Sequence, residues 1–474
     1  MKFKDLFDEK WYVNWEKLET IPQFDKLKST KQSAKWHKEG NVYLHTCLVT
    51  EAMRAILAVN HIEEGSNAWI MCMSAALCHD LGKAETTKWS HEKEDWTTKN
   101  HGVVGERITR NLFYDEDIVL REKVCYMVRN HMTLHYVFDE DKDKNKMLIK
   151  LSHGIVPIKY MLYLNKADSN GSLNEETTNE KNEKYNKILS SAGLMDCYDK
   201  PYSFVDKSQL IRDFINDKSE LVNKTNDFCV YILCGFPGCG KSTYYELFLD
   251  KMPFISRDEI RAELGIGGAT FVNNKKVVGT KEEEQKVTDI FNKWMFTFCE
   301  EKTSFVIDNT NLKYQYRKDY LSKIMKYNPK VKIIYIEAPE FINDCIKRRD
   351  GQIDESVYDR MLDTFDFPQL YECDELVFYK QHDDTNDETF KFDSDISPQN
   401  IKIEDKILNE LKITRGAMIL DGYNCYDSCI KYMDDLIKKY EKHDVECTFN
   451  WESLEKPIDD DIQDVIENNF WEIL

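Results

Sequence analysis

The stretch Gly235–Ser242, with the sequence GFPGCGKS, constrains the fold of this chain more than any other. It satisfies the pattern G-x-x-x-x-G-K-S/T, follows the apolar run FCVYILC and precedes the helix-like run STYYELFLDKM. Between a strand and a helix, such glycines let backbone N–H groups surround phosphate oxygens, while the lysine adds positive charge and the serine hydroxyl can hold Mg²⁺. The sequence therefore predicts a site for ATP and Mg²⁺, lined by Gly235, Pro237, Gly238, Cys239, Gly240, Lys241, Ser242 and Thr243.

The segments around this loop alternate between strand-like and helix-like patterns. Short apolar runs (FCVYILCG, FISRD, SFVIDN and VKIIYIEA) are separated by amphipathic runs such as YQYRKDYLSKIMKY. Strands that alternate with helices favour a parallel sheet with crossover helices. We therefore predict an α/β domain over residues 228–382.

Two charged residues beyond the loop are candidates for binding the acceptor of a phosphoryl group. Asp258 ends the predicted strand FISRD, where a carboxylate would orient or deprotonate an attacking hydroxyl. Arg261 lies three residues later, on the same side of a starting helix, where it would bind a phosphate of the acceptor. A helix N-cap for Asp258 and a surface ion pair for Arg261 explain the same residue types equally well.

The segments GFPGCGKST, SRDEIRAEL, VIDNTNL and CIKRRDG occur in this order. Together they resemble the 5′-polynucleotide kinase branch of the P-loop phosphotransferases. The resemblance implies that Lys241 and Ser242 bind ATP with Mg²⁺. It also implies that Asp258 is the general base on a 5′-hydroxyl and that Arg261 clamps the phosphate next to that hydroxyl.

The same resemblance implies a lid arginine, either Arg348 or Arg349, that reaches the donor phosphates and stabilises charge in the transition state. The alignment of the motif CIKRRDG favours Arg349. In VIDNTNL, Asn309 stands where the family tends to have aspartate. Asp308, one residue earlier, is expected to serve in the ATP and Mg²⁺ site instead.

Residues 1–195 carry apolar residues at helical spacing, as in VYLHTCLVTEAMRAIL and REKVCYMVRNH, and predict an all-α domain. Polar residues able to bind metals recur on the inward faces or at the ends of these helices. In chain order they are His45, His79, Asp80, His101, His131 and Asp168. Imidazole and carboxylate groups that converge from several helices are what a metal centre requires.

The dipeptide His79-Asp80 alone would be weak evidence, because it recurs at His382-Asp383 and His443-Asp444 in acidic loops without partners. A single histidine on an apolar helix face is usually a core residue that hydrogen-bonds to a neighbour. Six such groups are harder to bury without a metal, because each leaves a polar group to satisfy. The ordered set therefore favours a metal centre.

The order His…His-Asp…His…His…Asp, preceded by WHKEGNVYLHT, resembles the HD phosphohydrolase superfamily, although Asn41 replaces the aspartate usual in that phrase. The resemblance covers residues 20–175. It implies a helical fold, two divalent transition ions such as Mn²⁺, Ni²⁺, Co²⁺ or Zn²⁺, and hydrolysis of a phosphate ester by metal-activated water. Asp80 would bridge the ions, and Lys83 would hold the substrate phosphate.

An HD phosphohydrolase followed by a polynucleotide kinase resembles the bifunctional end-healing enzymes of nucleic-acid repair. The resemblance implies ATP-dependent phosphorylation of 5′-hydroxyl ends, and metal-dependent hydrolysis of 2′,3′-cyclic phosphate and of 2′- or 3′-phosphate ends, on RNA or DNA. Sealing would need a separate ligase. The alternatives are a nucleotide-metabolism enzyme that joins a nucleotidase to a small-molecule kinase, and a signalling phosphohydrolase whose second domain only senses ATP. A third, a nucleic-acid binding protein with decayed sites, is disfavoured by the intact ligand set.

The charge of the chain is uneven. The formal net charge is −20, and residues 383–474 hold 24 acidic and 10 basic residues, a balance of −14, which leaves −6 for the first 382 residues. A basic groove for nucleic acid is compatible with that smaller balance. We predict a connector at residues 196–227 and an acidic region of unknown role at residues 383–474.

The cysteine pattern and the hydropathy indicate the compartment. The chain has 14 cysteines without a CxxC pair, which favours free thiols in a reducing environment. It has no run of about 18 uncharged apolar residues, and its N-terminal stretch is charged throughout. We therefore predict a cytoplasmic protein without a membrane span.

Overall fold

The computed structural model describes residues 1–136, 143–172, 207–223, 225, 227–266, 270–272, 275–277, 280–349, 352–380 and 388–392. The acidic region predicted at 383–474, apart from residues 388–392, lies outside them, as do His382-Asp383 and His443-Asp444. The helical region comprises residues 1–172. Its helices and strands are α1 (Trp15–Glu19), α2 (Pro22–Asp25), α3 (Val42–Val59), α4 (Asn67–Cys78), α5 (Lys83–Thr86), β1 (Thr87–Ser90), β2 (Asp95–Thr98), α6 (His101–Leu112), α7 (Ile118–Asn130), α8 (Thr133–Tyr136), α9 (Lys144–Ser152) and α10 (Ile158–Gly171), with 3₁₀ turns at Phe3–Leu6 and Lys26–Ser29.

Helix α4 forms the centre of the helical region because it is apolar on every side. Every residue from Trp69 to Cys78 is buried, as expected for a helix without a polar face. Helices α3, α7 and α10 pack around it, and α6 packs against α7. The chain leaves α4 at His79 and Asp80, so these two polar residues lie inside the helical core.

By length and composition alone, helix α3 is long and apolar enough to cross a membrane, with a mean hydropathy of 1.4 over 18 residues. Within the described ranges it is the one helix that does so. Its buried residues, among them Val49, Met53 and Leu57, line one side of the helix, which packs against α4 and α10. This is the arrangement of a core helix in a folded domain.

The helical region contains a β-hairpin that the sequence did not predict. Strands β1 and β2 form an antiparallel hairpin in which Trp89 pairs with Trp96. The hairpin lies between α5 and α6 in the chain. The helical fold itself is confirmed, since helices form the core of this region.

The α/β region comprises residues 207–392. Its helices and strands are α11 (Lys207–Ile215), β3 (Cys229–Cys234), α12 (Lys241–Phe248), β4 (Phe254–Ile255), α13 (Arg257–Glu263), β5 (Thr270–Val272), β6 (Lys275–Val277), α14 (Lys281–Glu300), β7 (Phe305–Asp308), α15 (Tyr314–Ile324), β8 (Lys330–Glu337), α16 (Ile342–Arg348), α17 (Glu355–Asp363), β9 (Glu375–Lys380) and β10 (Glu388–Phe392), with 3₁₀ turns at Met325–Tyr327 and Leu370–Glu372.

The main sheet has the order β10-β9-β8-β3-β7-β4, with β10 antiparallel and the other five strands parallel. This confirms the predicted parallel sheet with flanking helices. Strand β3 is central in this sheet. The next strands in the chain, β4 and β7, lie on one side of β3, and the chain then crosses to β8 on the other side. In open α/β sheets, ligands bind at such a switch point, beyond the carboxyl ends of the strands. The loop after β3 lies there.

Two details differ from the sequence prediction. The strand predicted over FISRD is only Phe254–Ile255, because Ser256 already caps α13 by accepting a hydrogen bond from Asp258 N. Within the connector predicted at 196–227, residues Lys207–Ile215 form a helix whose Phe214 packs against Tyr314 and Tyr371.

A row of charges, buried except at Arg129 and Asp366, joins the helical region to the α/β region. We call it the ion ladder. Carboxylates and guanidinium groups alternate along it, from the α/β region through α6 and α7 and back to the end of β8. Its members are Asp366, Arg129, Glu106, Arg110, Glu122, Arg121 and Glu337. At one end Arg121, which is fully buried, donates to both Glu337 oxygens at 3.0 and 2.5 Å.

Candidate metal centre and phosphate-binding loop

Six side chains meet at the centre of the helical region, and they are the six that the sequence singles out. They come from separate segments: His45 from α3, His79 and Asp80 from the turn after α4, His101 from the start of α6, His131 from the end of α7 and Asp168 from α10. Their ligand atoms fall into two groups, each with all members within 4.8 Å of one another: His45, His79 and Asp80, and Asp80, His101 and His131.

Asp80 belongs to both groups because its two carboxylate oxygens face different histidines. Asp80 Oδ2 lies 3.2 Å from His79 Nε2 and 3.7 Å from His45 Nε2. Asp80 Oδ1 lies 3.6 Å from His101 Nε2 and 3.9 Å from His131 Nε2. A carboxylate placed in this way can bridge two metal ions.

Asp168 completes the first group. Its Oδ1 lies 2.9 Å from His45 Nε2 and 3.8 Å from His79 Nε2. One end of the cluster therefore offers two imidazoles and two carboxylates, and the other offers two imidazoles and the shared Asp80. Mixed nitrogen and oxygen ligands of this kind suit first-row divalent transition ions.

Hydrogen bonds fix the orientation of three rings. His79 Nδ1 donates to Ala76 O at 2.8 Å, and His131 Nδ1 donates to Val128 O at 2.7 Å. His45 Nδ1 lies 2.8 Å from Glu39 Oε1. In each case the Nε2 atom is left to point into the cluster, which is the arrangement of metal-binding histidines whose other nitrogen is held by an outer partner.

Burial and neighbouring charges set the protonation of the cluster. Burial, reinforced by His131, lowers the pKa of His101 to about 3. Burial, reinforced by His79, lowers the pKa of His131 to about 4. Burial would raise the pKa of Asp80, but the charges of His79 and Lys83 hold it well below its ordinary value. Neutral imidazole and ionised carboxylate are the forms that bind metals.

His45 is the exception in the cluster. Burial would lower its pKa, but hydrogen bonds to Asp168 and Glu39 outweigh this and raise it to about 9. His45 thus carries a proton between two carboxylates. A metal ion that bound at Nε2 would displace that proton.

The residues fit a metal. His79 Nε2 and Asp80 Oδ1 are buried and have no hydrogen-bond partner among the residues that the structure describes. Leaving such atoms unsatisfied costs on the order of 1–3 kcal/mol each, and more for a charged group. Coordination to an ion would satisfy them, so the six residues, with Asp80 shared between the two groups, can hold two divalent ions.

Sequence reasoning missed two residues beside the cluster, His37 and Glu39. Glu39 Oε1 lies 2.8 Å from both His37 Nδ1 and His45 Nδ1. The possible ligand atoms of these three residues all lie within 4.8 Å of one another, so they too could hold a metal ion. Burial would raise the pKa of Glu39, but its hydrogen bonds to His37 and His45 lower it to about 2. The phrase WHKEG contained both residues, but they lie in a loop where helical spacing gives no signal.

Lys83 and His135 lie at the edge of the cluster. Lys83, predicted to hold the substrate phosphate, is buried with its Nζ 2.7 Å from Asp80 Oδ2 and 3.5 Å from His37 Nε2. His135 lies outside the predicted ligand set, but its Nε2 lies 3.9 Å from Asp168 Oδ2 and 2.9 Å from Asn165 Nδ2. It is therefore an additional candidate at this edge.

Two local features bring the ligands together. Asn41, which replaces the usual aspartate, caps α3 by accepting a hydrogen bond from Leu44 N at 2.8 Å, and asparagine performs this role as well as aspartate does. Gly82 packs directly on α6: a Cβ atom there would lie 2.0 Å from His101 O. Only glycine lets the turn carrying His79 and Asp80 approach the start of α6 so closely.

The loop after β3 has the conformation that phosphate binding requires. Gly238 and Gly240 have φ angles of +84° and +102°, a region that favours glycine. Lys241 begins α12, and its Nζ donates to the carbonyls of Gly235 and Phe236 at 3.1 Å. The lysine therefore folds over its own loop, at the N-terminus of a helix.

Strand β7 places a carboxylate next to this loop. Asp308 ends β7 and pairs in register with Leu233 near the end of β3. Burial raises the pKa of Asp308, the charge of Lys241 opposes that rise and Asp258 adds to it. A carboxylate between the loop lysine and the acceptor side suits an Mg²⁺ ligand or its outer partner.

Asp258 and Arg261 lie on α13 and form an ion pair at 2.6 Å. The Asp258 side chain is 91% exposed, which leaves it accessible to a substrate. Arg261 also donates to both oxygens of Glu284 in α14, at 2.8 and 2.9 Å, and Glu284 was not predicted. The hydrogen bonds to Glu284 raise the pKa of Arg261. The arginine is thus held in place beside the predicted base.

The two lid candidates differ in what they contact. Arg348 NH1 lies 3.4 Å from Gly238 O in the loop, whereas Arg349 NH1 lies 3.5 Å from Gln352 Oε1. The side-chain stem of Arg349 still packs near Gly238, where a Cβ atom would meet its Cγ at 3.2 Å. The position of the guanidinium group therefore favours Arg348, whereas the motif alignment favours Arg349.

Comparison with known proteins follows this division of the molecule. A family model described as an HD domain matches residues 42–152, and one described as an AAA domain matches residues 230–368. The chain joins an HD domain to a P-loop kinase-like domain. The HD match includes five of the six clustered residues and ends before Asp168, which the sequence predicts as a ligand and the structure places at the centre.

One curated relative matches the kinase-like domain. The L-seryl-tRNA(Sec) kinase of Methanococcus maripaludis is 29% identical over 140 residues, which are 29% of this chain and 52% of the relative. The chain thus spans about half the length of that relative. HD domains bind divalent metals and P-loop kinases use ATP with Mg²⁺, which agrees with the ligand set of the cluster and with the conformation of the loop.

Proposed function

We propose that this chain heals broken nucleic-acid ends. The kinase-like domain would phosphorylate a 5′-hydroxyl with ATP, and the HD domain would hydrolyse a 2′,3′-cyclic phosphate and the remaining 2′- or 3′-phosphate. The observation that carries the proposal is the union, within one compact unit, of a centre suited to removing phosphate and a loop suited to adding it. Both operations are needed when the two ends of one break carry the wrong groups.

In the HD domain the clustered residues would hold the ions, which supply Lewis acidity and an activated water when bound. Asp80 keeps the two groups of imidazoles a fixed distance from one another, because each of its oxygens faces one group. Lys83 contributes a buried cation at the edge, where a phosphate can be neutralised. Glu39 fixes His45 from outside the cluster.

In the kinase-like domain the chain supplies a base and three positively charged groups. Asp258 would accept the proton of the attacking hydroxyl as the new O–P bond forms and ADP leaves. Arg261 would exchange its contact with Asp258 for the phosphate next to that hydroxyl. Lys241 and an arginine of the lid, Arg348 or Arg349, would stabilise the charge of the transferred group.

The curated relative supports an acceptor carried on nucleic acid, since its name describes a kinase of seryl-tRNA. The rest of the predicted assignment is part of the same proposal. We propose two divalent transition ions for the HD domain, ATP and Mg²⁺ for the kinase-like domain, RNA or DNA ends as substrates, a separate ligase as partner and a cytoplasmic location.

Two labelled RNA oligomers test the function, one with a 5′-hydroxyl and one with a 2′,3′-cyclic phosphate. Purified wild type is compared with His79→Ala and Lys241→Ala, and products are separated by gel. The controls are His61→Asn and Lys251→Ala, which change an exposed histidine and an exposed lysine outside both sites. We expect His79→Ala to lose only the removal of the 3′-terminal phosphate, and Lys241→Ala to lose only 5′-phosphorylation.

Other outcomes assign other functions. If wild type ignores both oligomers but phosphorylates and hydrolyses free nucleotides, the repair proposal fails and the nucleotide-metabolism alternative replaces it. If it phosphorylates seryl-tRNA but no 5′-hydroxyl, the kinase acceptor is the one named for the relative. If Lys241→Ala keeps full 5′-phosphorylation, the loop is not the site of phosphoryl transfer.

A further inference from the structure

The hairpin β1–β2 is tied at both ends to the metal centre. Strand β1 begins four residues after Lys83, and β2 ends three residues before His101. The segment between two residues of the centre therefore projects as a two-stranded flap beside it. The family match to an HD domain gives this flap no function.

A second segment, residues 31–38, contacts both the edge of the centre and the flap. Its His37 reaches the centre through Glu39 and lies 3.5 Å from Lys83 Nζ. Ser33 Oγ donates to Asp95 Oδ2 at 2.5 Å, which joins this segment to the flap. We call the two segments together, residues 31–38 and 87–99, the tryptophan surface.

The tryptophan surface exposes large aromatic rings. Trp36 is 51% exposed and Trp89 is 45% exposed, and they are the two exposed tryptophans in the part of the chain that the structure describes. Trp89 is held by Trp96 across the hairpin, with ring centroids 5.4 Å apart. Lys35 Nζ lies 4.8 Å from the centre of the Trp36 ring. Exposed aromatic rings offer faces on which bases can stack.

The charge of this surface is opposite to that of the whole chain. It holds six lysines, all exposed, against three carboxylates, a balance of +3 in a chain of −20; the lysines are Lys31, Lys35, Lys38, Lys88, Lys93 and Lys99. One carboxylate, Asp95, is already engaged by Ser33. Positive charge interleaved with aromatic rings is the composition of a surface that follows a single-stranded backbone and stacks its bases.

We propose that the tryptophan surface binds the single-stranded nucleic acid whose terminal phosphate enters the metal centre, with bases stacked on Trp36 and Trp89. This inference rests on the proposed function and adds to it the selection of polynucleotide ends over free nucleotides. A protein partner is the weaker interpretation, because a lysine directly precedes each ring in the chain, Lys35 before Trp36 and Lys88 before Trp89, whereas a protein-binding patch is mainly apolar.

The test compares chain lengths at the HD site. Full-length protein is assayed on a 2′,3′-cyclic mononucleotide and on a single-stranded decamer that ends in the same cyclic nucleotide. The variants are Trp36→Ala, Trp89→Ala and the charge reversal Lys88→Glu/Lys93→Glu, which keeps both rings. Tyr12→Ala is the matched control, because Tyr12 is an aromatic residue of the same region that is 60% exposed and lies outside both segments.

We expect wild type to have a lower KM for the decamer than for the mononucleotide. Each tryptophan variant should raise the KM for the decamer about tenfold, the effect of losing one stacked base, and leave kcat unchanged. The charge reversal should raise the same KM and flatten its dependence on salt. The KM for the mononucleotide should change less than the KM for the decamer, and Tyr12→Ala should match wild type on both.

The opposite results overturn the inference. If the tryptophan and charge variants keep the wild-type KM for the decamer, the surface does not bind the strand. If they raise both KM values equally, the residues support the site and do not select polymer. A wild type without activity on either substrate refutes the proposed function itself, whatever the variants do. 5′-Phosphorylation, measured on every variant, verifies that the protein is folded.

Discussion

The two candidate sites of this molecule are built in opposite ways. In the HD domain the side chains of Asp80 and His79 are 2% and 1% exposed, and the six ligands come from five separate segments of the chain. In the kinase-like domain Asp258 is 91% exposed, and the loop that would bind ATP is one continuous stretch. The metal-binding side chains of the HD domain are already assembled without a substrate. The kinase-like domain has a formed loop for the phosphate donor but an exposed side for the acceptor.

The difference teaches where each site obtains its selectivity. A buried cluster can fix ligand geometry but leaves little room to recognise a large substrate, so recognition must occur at its opening. An open site can admit a polymer. Its exposed charged groups then take their final positions only when ATP and the acceptor bind. Four changes would break or sharpen this comparison, from the largest expected effect to the smallest.

Replacement of the bridging carboxylate should have the largest effect. Asp80→Asn keeps the shape but removes the charge shared by both groups of histidines, so both ions should bind poorly. We expect hydrolysis of the cyclic phosphate to fall on the order of 10⁴-fold, since the ions account for several kcal/mol of transition-state stabilisation. Metal content, measured after dialysis, should fall in parallel. Asp115→Asn, an exposed aspartate of the same region, is the control, and unchanged metal content would refute the bridge.

The lid arginines test the open site. If Arg348 reaches the transferred group, Arg348→Ala should lower kcat for 5′-phosphorylation on the order of 10³-fold, the effect of a transition-state arginine. Arg349→Ala should then cost far less, because its guanidinium group lies near Gln352. The measurement is single-turnover phosphoryl transfer. The reverse ranking would show that the lid rearranges when ATP binds and that the motif alignment is the better guide.

The ion ladder tests whether the two sites share one rigid body. Arg121→Met should lower the free energy of unfolding by about 3–5 kcal/mol, because Glu337 would be left buried without its main partner. Arg121→Met/Glu337→Leu should recover part of this loss, since both charges are then removed. Thermal or denaturant unfolding of the three proteins gives the comparison. A double variant no more stable than Arg121→Met would contradict the pairing.

The smallest effect concerns Glu39, which holds a ligand of the buried site from outside the cluster. Glu39→Gln should weaken metal binding about 10–100-fold, because His45 would lose the carboxylate that orients its ring. The measurement is a metal titration followed by protein fluorescence, with kinase activity as the internal control. Equal affinity in wild type and Glu39→Gln would show that the position of α3 alone holds His45.

The sequence predicted each site to the extent that its residues follow a local rule. The loop Gly235–Ser242 obeys a motif of fixed spacing, so its position between β3 and α12 followed directly. The six clustered residues obey no spacing, but each lies on the apolar face or at the end of a helix, and apolar faces must meet in a core. The fold of both regions was therefore predictable.

The residues that were missed follow no such rule. His37 and Glu39 are two apart in a loop, where no periodicity indicates which side chain points inward. The hairpin strands TKWS and DWTT are four residues each, too short to stand out between two helices. Glu106 and Arg110 have the spacing of an ordinary surface pair on a helix, so nothing in the sequence marked them as buried members of the ion ladder.

The ion ladder also limits how this protein can be divided or recombined. Its negative ends, Asp366 and Glu337, belong to the α/β region, whereas all three arginines belong to the helical region. A piece cut between the regions would expose alternating charges that fit no other partner. A foreign kinase domain grafted onto this helical region would need carboxylates at both positions. The two regions should therefore tolerate exchange only as one block, because a charge change on one side of the ladder leaves its partner on the other side unpaired.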